Sequence, residues 1–130
     1  MEKVKKIISA LFLLIIITNA GRSQAETYMT TQEAQKKFGA KPFDQQQFKK
    51  GDQKLRGEMT ADLVLKKAFI GMPLKSVREL LGAPDGYFEN KAIPAYLIST
   101  KEKDIWQVIF LPDTDWKKVD DVKIHKNCCD

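Results

Sequence analysis

The chain begins with a basic cluster, Lys3, Lys5 and Lys6, and passes into an apolar run from Ile7 to Ile17 interrupted only by Ser9. Polar Thr18 and Asn19 follow. A basic start and an apolar stretch of about 11 residues are the pattern of a secretory signal peptide, and they fall short of the roughly 20 residues a permanent membrane-spanning helix needs. Small side chains at Ser23 and Ala25 suit a signal peptidase, which places the expected cut between Ala25 and Glu26. After that cut the apolar positions are spaced as in a small folded domain.

Two short helices are predicted first. Thr30 and Glu33 have the spacing of a capping box, with a helix over Gln32–Phe38 closed by Gly39. In Phe43-Asp44-Gln45-Gln46-Gln47-Phe48, Asp44 fits an N-cap, and Phe43 and Phe48 fit the two apolar positions of a hydrophobic staple, with the turn ending near Gly51. From Glu58 to Ile70, Met59, Leu63 and Ile70 fall on one helical face that Leu65, Ala68 and Phe69 widen. Gly71 ends that helix. Pro73 opens the next, where Leu74, Val77, Leu80 and Leu81 recur at helical spacing before Gly82 and Pro84 stop it. Two helices joined by a glycine-containing link form a helical hairpin.

Beyond the turn at Pro84-Asp85-Gly86 the period shortens to two. Ala95–Ser99 is predicted as a strand, and Ile105–Leu111 as a central one because it is apolar on both faces. The turn Pro112-Asp113-Thr114-Asp115 leads to a lysine-rich, edge-like strand ending at Ile124. Helices followed by strands indicate an α+β fold, with the hairpin packed on one face of a small, about three-stranded antiparallel sheet. The expected organisation is a signal peptide over 1–25, an N-terminal extension with short helices over 26–54, an α+β domain over 55–127 and a cysteine-containing tail over 128–130.

The formal charge of +5 overstates the basicity of the exported part. Setting aside Lys3, Lys5, Lys6, Arg22 and Glu2 leaves 18 Lys and Arg against 16 acids, a balance of +2. The Lys-Lys pairs are scattered among acids, so nucleic-acid binding is not expected. Nor is a transmembrane anchor expected after cleavage.

Candidate chemistry is sparse. The tail gathers His125, Cys128 and Cys129, but adjacent cysteines make poor metal ligands. In an oxidising compartment they are expected to form a disulfide, either with each other under strain or between two chains as a disulfide-linked dimer. Asp113 with Asp115 and Asp120 with Asp121 lack the pattern of an EF-hand. Trp106 and Phe110 read as core, whereas Trp116 lies in a polar turn beside Lys117 and Lys118 and is the candidate contact residue for a partner. No GxSxG, HExxH, CxxC or phosphate-binding glycine loop occurs, so neither a catalytic residue nor a cofactor is assigned.

Gly71-Met72, Val77, Leu80-Leu81-Gly82 and Pro84 resemble the signature of the SmpA/OmlA (BamE-like) family of small outer-membrane lipoproteins, with the likeness spanning roughly residues 55–125. It is also similar to bacterial envelope proteins in which a Phe-Asp pair precedes an Arg…Met…Asp-Leu helix, here Phe43-Asp44, Arg56, Met59 and Asp62-Leu63. The resemblance implies a non-enzymatic module that binds protein partners in the cell envelope. Two departures accompany it: Pro73 stands where the family has a threonine, and no cysteine follows the apolar run to accept a lipid. The expectation is therefore a periplasmic or secreted accessory protein without a lipid anchor. The alternatives are a secreted hydrolase inhibitor with a β-lactamase-inhibitor-like fold, and a thiol-redox or metal-handling protein that uses Cys128 and Cys129.

Overall fold

A computed structural model describes residues 28–89, 93–101 and 104–126. The expected signal peptide, its Ala25–Glu26 cut and the Cys128–Cys129 pair lie outside the described residues. The elements run β1 (Tyr28–Met29), α1 (Thr31–Phe38), α2 (Gln45–Lys50), α3 (Gln53–Lys66), α4 (Leu74–Leu81), β2 (Gly86–Phe88), β3 (Ile93–Lys101), β4 (Asp104–Pro112) and β5 (Val119–Lys126). The fold is α+β, with helices on one face of an antiparallel sheet in the order β1-β5-β4-β3-β2.

The sheet has five strands where about three were expected, and the two additions flank the predicted β3, β4 and β5. Each is too short to display a period of two. β1 pairs Tyr28 with His125 and Met29 with Ile124. β2 begins inside what reads as a turn, pairing Gly86 with Ala95 and Phe88 with Ile93. Along β5 the outward main chain is largely occupied. Val119 N–H donates to Met72 O at 2.8 Å, Val122 N–H donates to its neighbour's Asp121 Oδ1 at 2.8 Å, and β1 covers Ile124.

The first two helices form for the predicted reasons. Thr30 and Glu33 close a reciprocal capping box on α1. Asp44 accepts from Gln47 N–H at 2.9 Å, and the Phe43 and Phe48 rings pack with centroids 5.9 Å apart. The third helix differs from its predicted span of Glu58–Ile70. It begins at Gln53 because Asp52 caps it, accepting from Leu55 N–H at 2.9 Å, and stops at Lys66 because Lys67 turns left-handed at φ 53°. Gly57 sits within α3 where the helix packs against β3. A Cβ there would lie 3.1 Å from Ile98 O.

The hairpin expectation also needs correction. α2 wedges between α3 and α4, and α4 packs more on α2 than on α3. Gln45 Nε2 donates to Leu80 O at 2.6 Å and Lys49 Nζ to Glu79 O at 3.3 Å, so the predicted extension is integral to the helical layer. The core lies between this layer and the sheet. Phe48, Met59, Leu63, Val77, Leu81, Tyr96, Val108, Phe110, Val122 and Ile124 are all buried there, with Phe69–Phe110, Phe48–Tyr96 and Tyr96–Phe110 in edge contact. Each such side chain contributes about 1.5–3 kcal/mol by leaving water.

Candidate functional site on the helix-free face of the sheet

Because side chains alternate across a strand, the residues between these core positions face away from the helices. On β4 that set includes Gln107 and Ile109, paired across to His125 and Lys123 on β5 and to Leu97 and Ala95 on β3. Ile93, Ala95 and Ile109 form a second, smaller buried cluster on this face, flanked by Phe88 and Leu111. Tyr28, 43% exposed, stands at its β1 edge and meets the His125 ring at 5.8 Å.

Phe88 and His125 lie on strands separated by β3 and β4, yet their ring centroids are 4.4 Å apart. Three strand spacings in a flat sheet would set those backbones about 14 Å apart. The β2 end therefore folds back over the face and leaves a cavity of about 420 Å³ beneath it, lined by Gly86, Tyr87, Phe88, Glu89, Leu97 and Gln107, with Asp85 at the margin.

Gln107 forms the floor and is only 7% exposed. Its Nε2 lies 3.4 Å from His125 Nδ1. A carboxamide nitrogen only donates, so Nδ1 accepts and the neutral ring carries its proton on Nε2. Burial pushes the His125 pKa below the ordinary 6.5, with the Glu89 carboxylate opposing that shift, so the neutral ring is the form present near pH 7. The Gln107 carbonyl oxygen has no hydrogen-bond partner among the described residues. No buried side-chain N or O there is left unpartnered, so this oxygen keeps contact with solvent, on a residue that lines the cavity.

A larger cavity of about 590 Å³ lies at the other margin of the helical layer, among Lys37, Phe38, Gln53, Ile98, Thr100 and Asp104. Several of its polar groups bind one another. Lys37 Nζ is 2.7 Å from Asp104 Oδ2, Trp106 Nε1 donates to Asp104 Oδ1 at 2.7 Å, and Thr100 Oγ1 donates to Gln53 Oε1 at 3.1 Å. The Lys37 ammonium and the Trp106 N–H together hold the Asp104 carboxyl below its usual range. The smaller cavity is the better candidate because it keeps an acceptor uncommitted.

The residues singled out in sequence fall mainly into architecture. Gly71 and Met72 run beside β5, with Gly71 N–H donating to Val119 O at 2.8 Å. Val77 and Leu81 are buried and Leu80 packs against the same core. Gly82, at φ 89°, ends α4 and its carbonyl accepts from Tyr96 Oη at 2.7 Å, while Pro84 leads into β2. Asp62 Oδ2 accepts from Phe43 N–H at 2.6 Å, which lowers the Asp62 pKa and ties the Phe-Asp pair to α3. Arg56 donates from Nε to Phe48 O at 3.1 Å and from Nη1 to Asp85 Oδ2 at 3.2 Å, and its guanidinium lies over the Phe48 and Tyr96 rings.

Trp116 is 49% exposed and sits at φ 58° in the β4–β5 turn, at the opposite end of β5 from His125. A bulky side chain in the left-handed region is costly. The turn is held around it by Asp113 Oδ1, which accepts from Lys117 N–H at 3.0 Å and Lys118 N–H at 3.3 Å. Trp116 and the cavity are thus separate features. Gln107 and His125 were not paired by sequence reading, although one polar residue inside the apolar run Ile105–Leu111 was the available signal.

Comparison of the chain with family models, curated proteins and solved structures finds no match in any of the three. No helix among the described residues is long and apolar enough to cross a membrane.

Proposed function

We propose that this protein is exported by its N-terminal signal and acts as a non-enzymatic, SmpA/OmlA-like accessory module that binds a protein partner in the periplasm or cell envelope. The observation that carries this reading is the sheet face turned away from the described helices, where Phe88 lines a formed cavity with an open acceptor, His125 packs on Phe88, and exposed Tyr28 packs on His125. Aromatic rings with a polar handle are the groups that anchor protein interfaces. The signal pattern and the Gly71–Pro84 motif point to the same compartment and class.

The test is site-specific photo-crosslinking in the native compartment, with the photoreactive residue placed at Tyr28 and, as a control, at Leu65, which is 52% exposed on the helical layer. A discrete crosslinked partner from position 28 and none from 65 is the expected result. Equal or absent crosslinking from both positions would remove the reading. The inhibitor alternative is favoured by the same exposed Tyr28, and it requires the captured partner to be a hydrolase whose activity falls on binding.

A further inference from the structure

The smaller cavity has a chemical bias that narrows what a partner would place in it. Its floor offers the Gln107 carbonyl oxygen, while one of the two N–H groups of the same amide is taken by His125 Nδ1. One wall is the Phe88 ring, braced edge-on by the His125 ring at 4.4 Å. Of its two acids, Asp85 is already engaged by Arg56 and by Leu97 N–H at 2.7 Å. Glu89 stands at the rim, and its charge reaches His125. Arg78 lies over Tyr87, whose pairing with Pro94 places it on the opposite side of β2 from Phe88.

An aromatic wall, a neutral acceptor and a carboxylate around a small space favour a planar cation with several N–H donors. Guanidinium meets all three requirements: it stacks on rings and donates in a fixed fork. An ammonium keeps its water more tightly and presents a point charge. We infer that this cavity receives an arginine side chain presented by the partner protein, stacked on Phe88 and donating to Gln107 Oε1 and the Glu89 carboxylate. The inference rests on the partner-binding reading above and names the chemistry of that same face.

The arrangement also makes binding pH-dependent. The charged and titratable groups facing His125 are Tyr28 from β1, Glu89 beyond β2, and Lys123 on its own strand, which lies over Tyr28 and pairs with Asp121. Protonation of His125 turns Nδ1 into a donor, so the Gln107 amide must rotate its oxygen toward the ring, which withdraws the acceptor from the cavity and adds a positive charge beside it.

The experiment is NMR titration of the purified exported protein with acetyl-Gly-Arg-Gly-amide, compared with the citrulline and lysine analogues. The side-chain amide of Gln107 and the ring protons of His125 are the reporters. The expected result is saturable shifts with the arginine peptide, about tenfold weaker binding of the neutral citrulline peptide, and intermediate lysine binding. Glu89→Gln, at an exposed position, should weaken the arginine peptide roughly threefold without changing the fold, and acidification from about pH 7.5 to 5.5 should weaken it further. Gln107→Met, checked for native chemical-shift dispersion, should abolish the response. Equal arginine and citrulline affinities, or an unchanged response in Glu89→Gln, overturn the inference. If the position-28 crosslink persists at full yield in both variants, the arginine assignment fails while the partner-binding reading stands. If the peptide behaves as expected and no partner is captured, the cavity chemistry holds and the partner-binding reading fails.

Discussion

Arg56→Met removes a cation that joins three elements: α2 through Phe48 O, its own helix α3, and Asp85 before β2. The Arg56 side chain is 12% exposed and that of Asp85 32% exposed, so the pair is only partly screened. A hydrogen bond from a charged donor to a buried carbonyl contributes about 1.5–3 kcal/mol. The ion pair, discounted for solvent on the Asp85 side, contributes up to about 1 kcal/mol, and each stacked ring roughly 0.5–1 kcal/mol. Methionine recovers part of the packing, which leaves an expected loss of about 3 kcal/mol. For a domain of this size that lowers Tm by about 12 °C or more. The assay is urea unfolding followed by Trp106 and Trp116 fluorescence, with an unchanged m-value. Asp85→Asn keeps an oxygen for Leu97 N–H while deleting the charge, so the double-mutant cycle isolates the ion pair, with an expected coupling of about 1 kcal/mol. A loss below about 1 kcal/mol for Arg56→Met would refute the reasoning, because that lies within the range of an ordinary surface change.

Gly57→Ala gains helix propensity of about 1 kcal/mol, but its Cβ would press on Ile98 O at 3.1 Å, and thermal unfolding should show net destabilisation of about 1 kcal/mol or more. Trp116→Gly releases a left-handed strain of about 1–2 kcal/mol, so chemical denaturation should show no loss beyond about 0.5 kcal/mol although a large side chain is deleted. His125 has a folded-state pKa below its unfolded value, so the unfolded chain binds the extra proton and stability falls as pH drops below 6.5. His125→Gln should flatten the stability–pH slope on the acid side of 6.5; an unchanged slope would show that the ring titrates as it does in the unfolded chain.

What was legible in the sequence was whatever is encoded locally. Asp44, Thr30 and Glu33 announce their caps within three residues, and the alternation in Ile105–Leu111 announces a central strand. The predicted start at Glu58 falls five residues after the true start of α3, and the place of Gly57 inside the helix depends on Ile98, 41 positions away in a strand that spacing alone does not bring near. β1 and β2 carry two and three residues, too few for a period to show. The wedge of α2 between α3 and α4 follows from packing partners such as Gln45 and Leu80 that no spacing rule connects. The candidate site was least legible for the same reason. Gln107, His125 and Phe88 come from three strands, and their meeting depends on how far the β2 end curls over the sheet.

The way β5 closes its outer side has a consequence for how this molecule behaves among its own copies. With Val119 tied to Met72, Val122 satisfied by the adjacent carboxylate of Asp121, and Ile124 covered by β1, little vacant main chain remains there for a neighbouring strand to zip onto. Main-chain pairing is indifferent to sequence, and here it is left to the two- and three-residue outer strands β1 and β2, which are too short to seed an extended ladder. Along β5, contacts with another molecule are chosen by side chains.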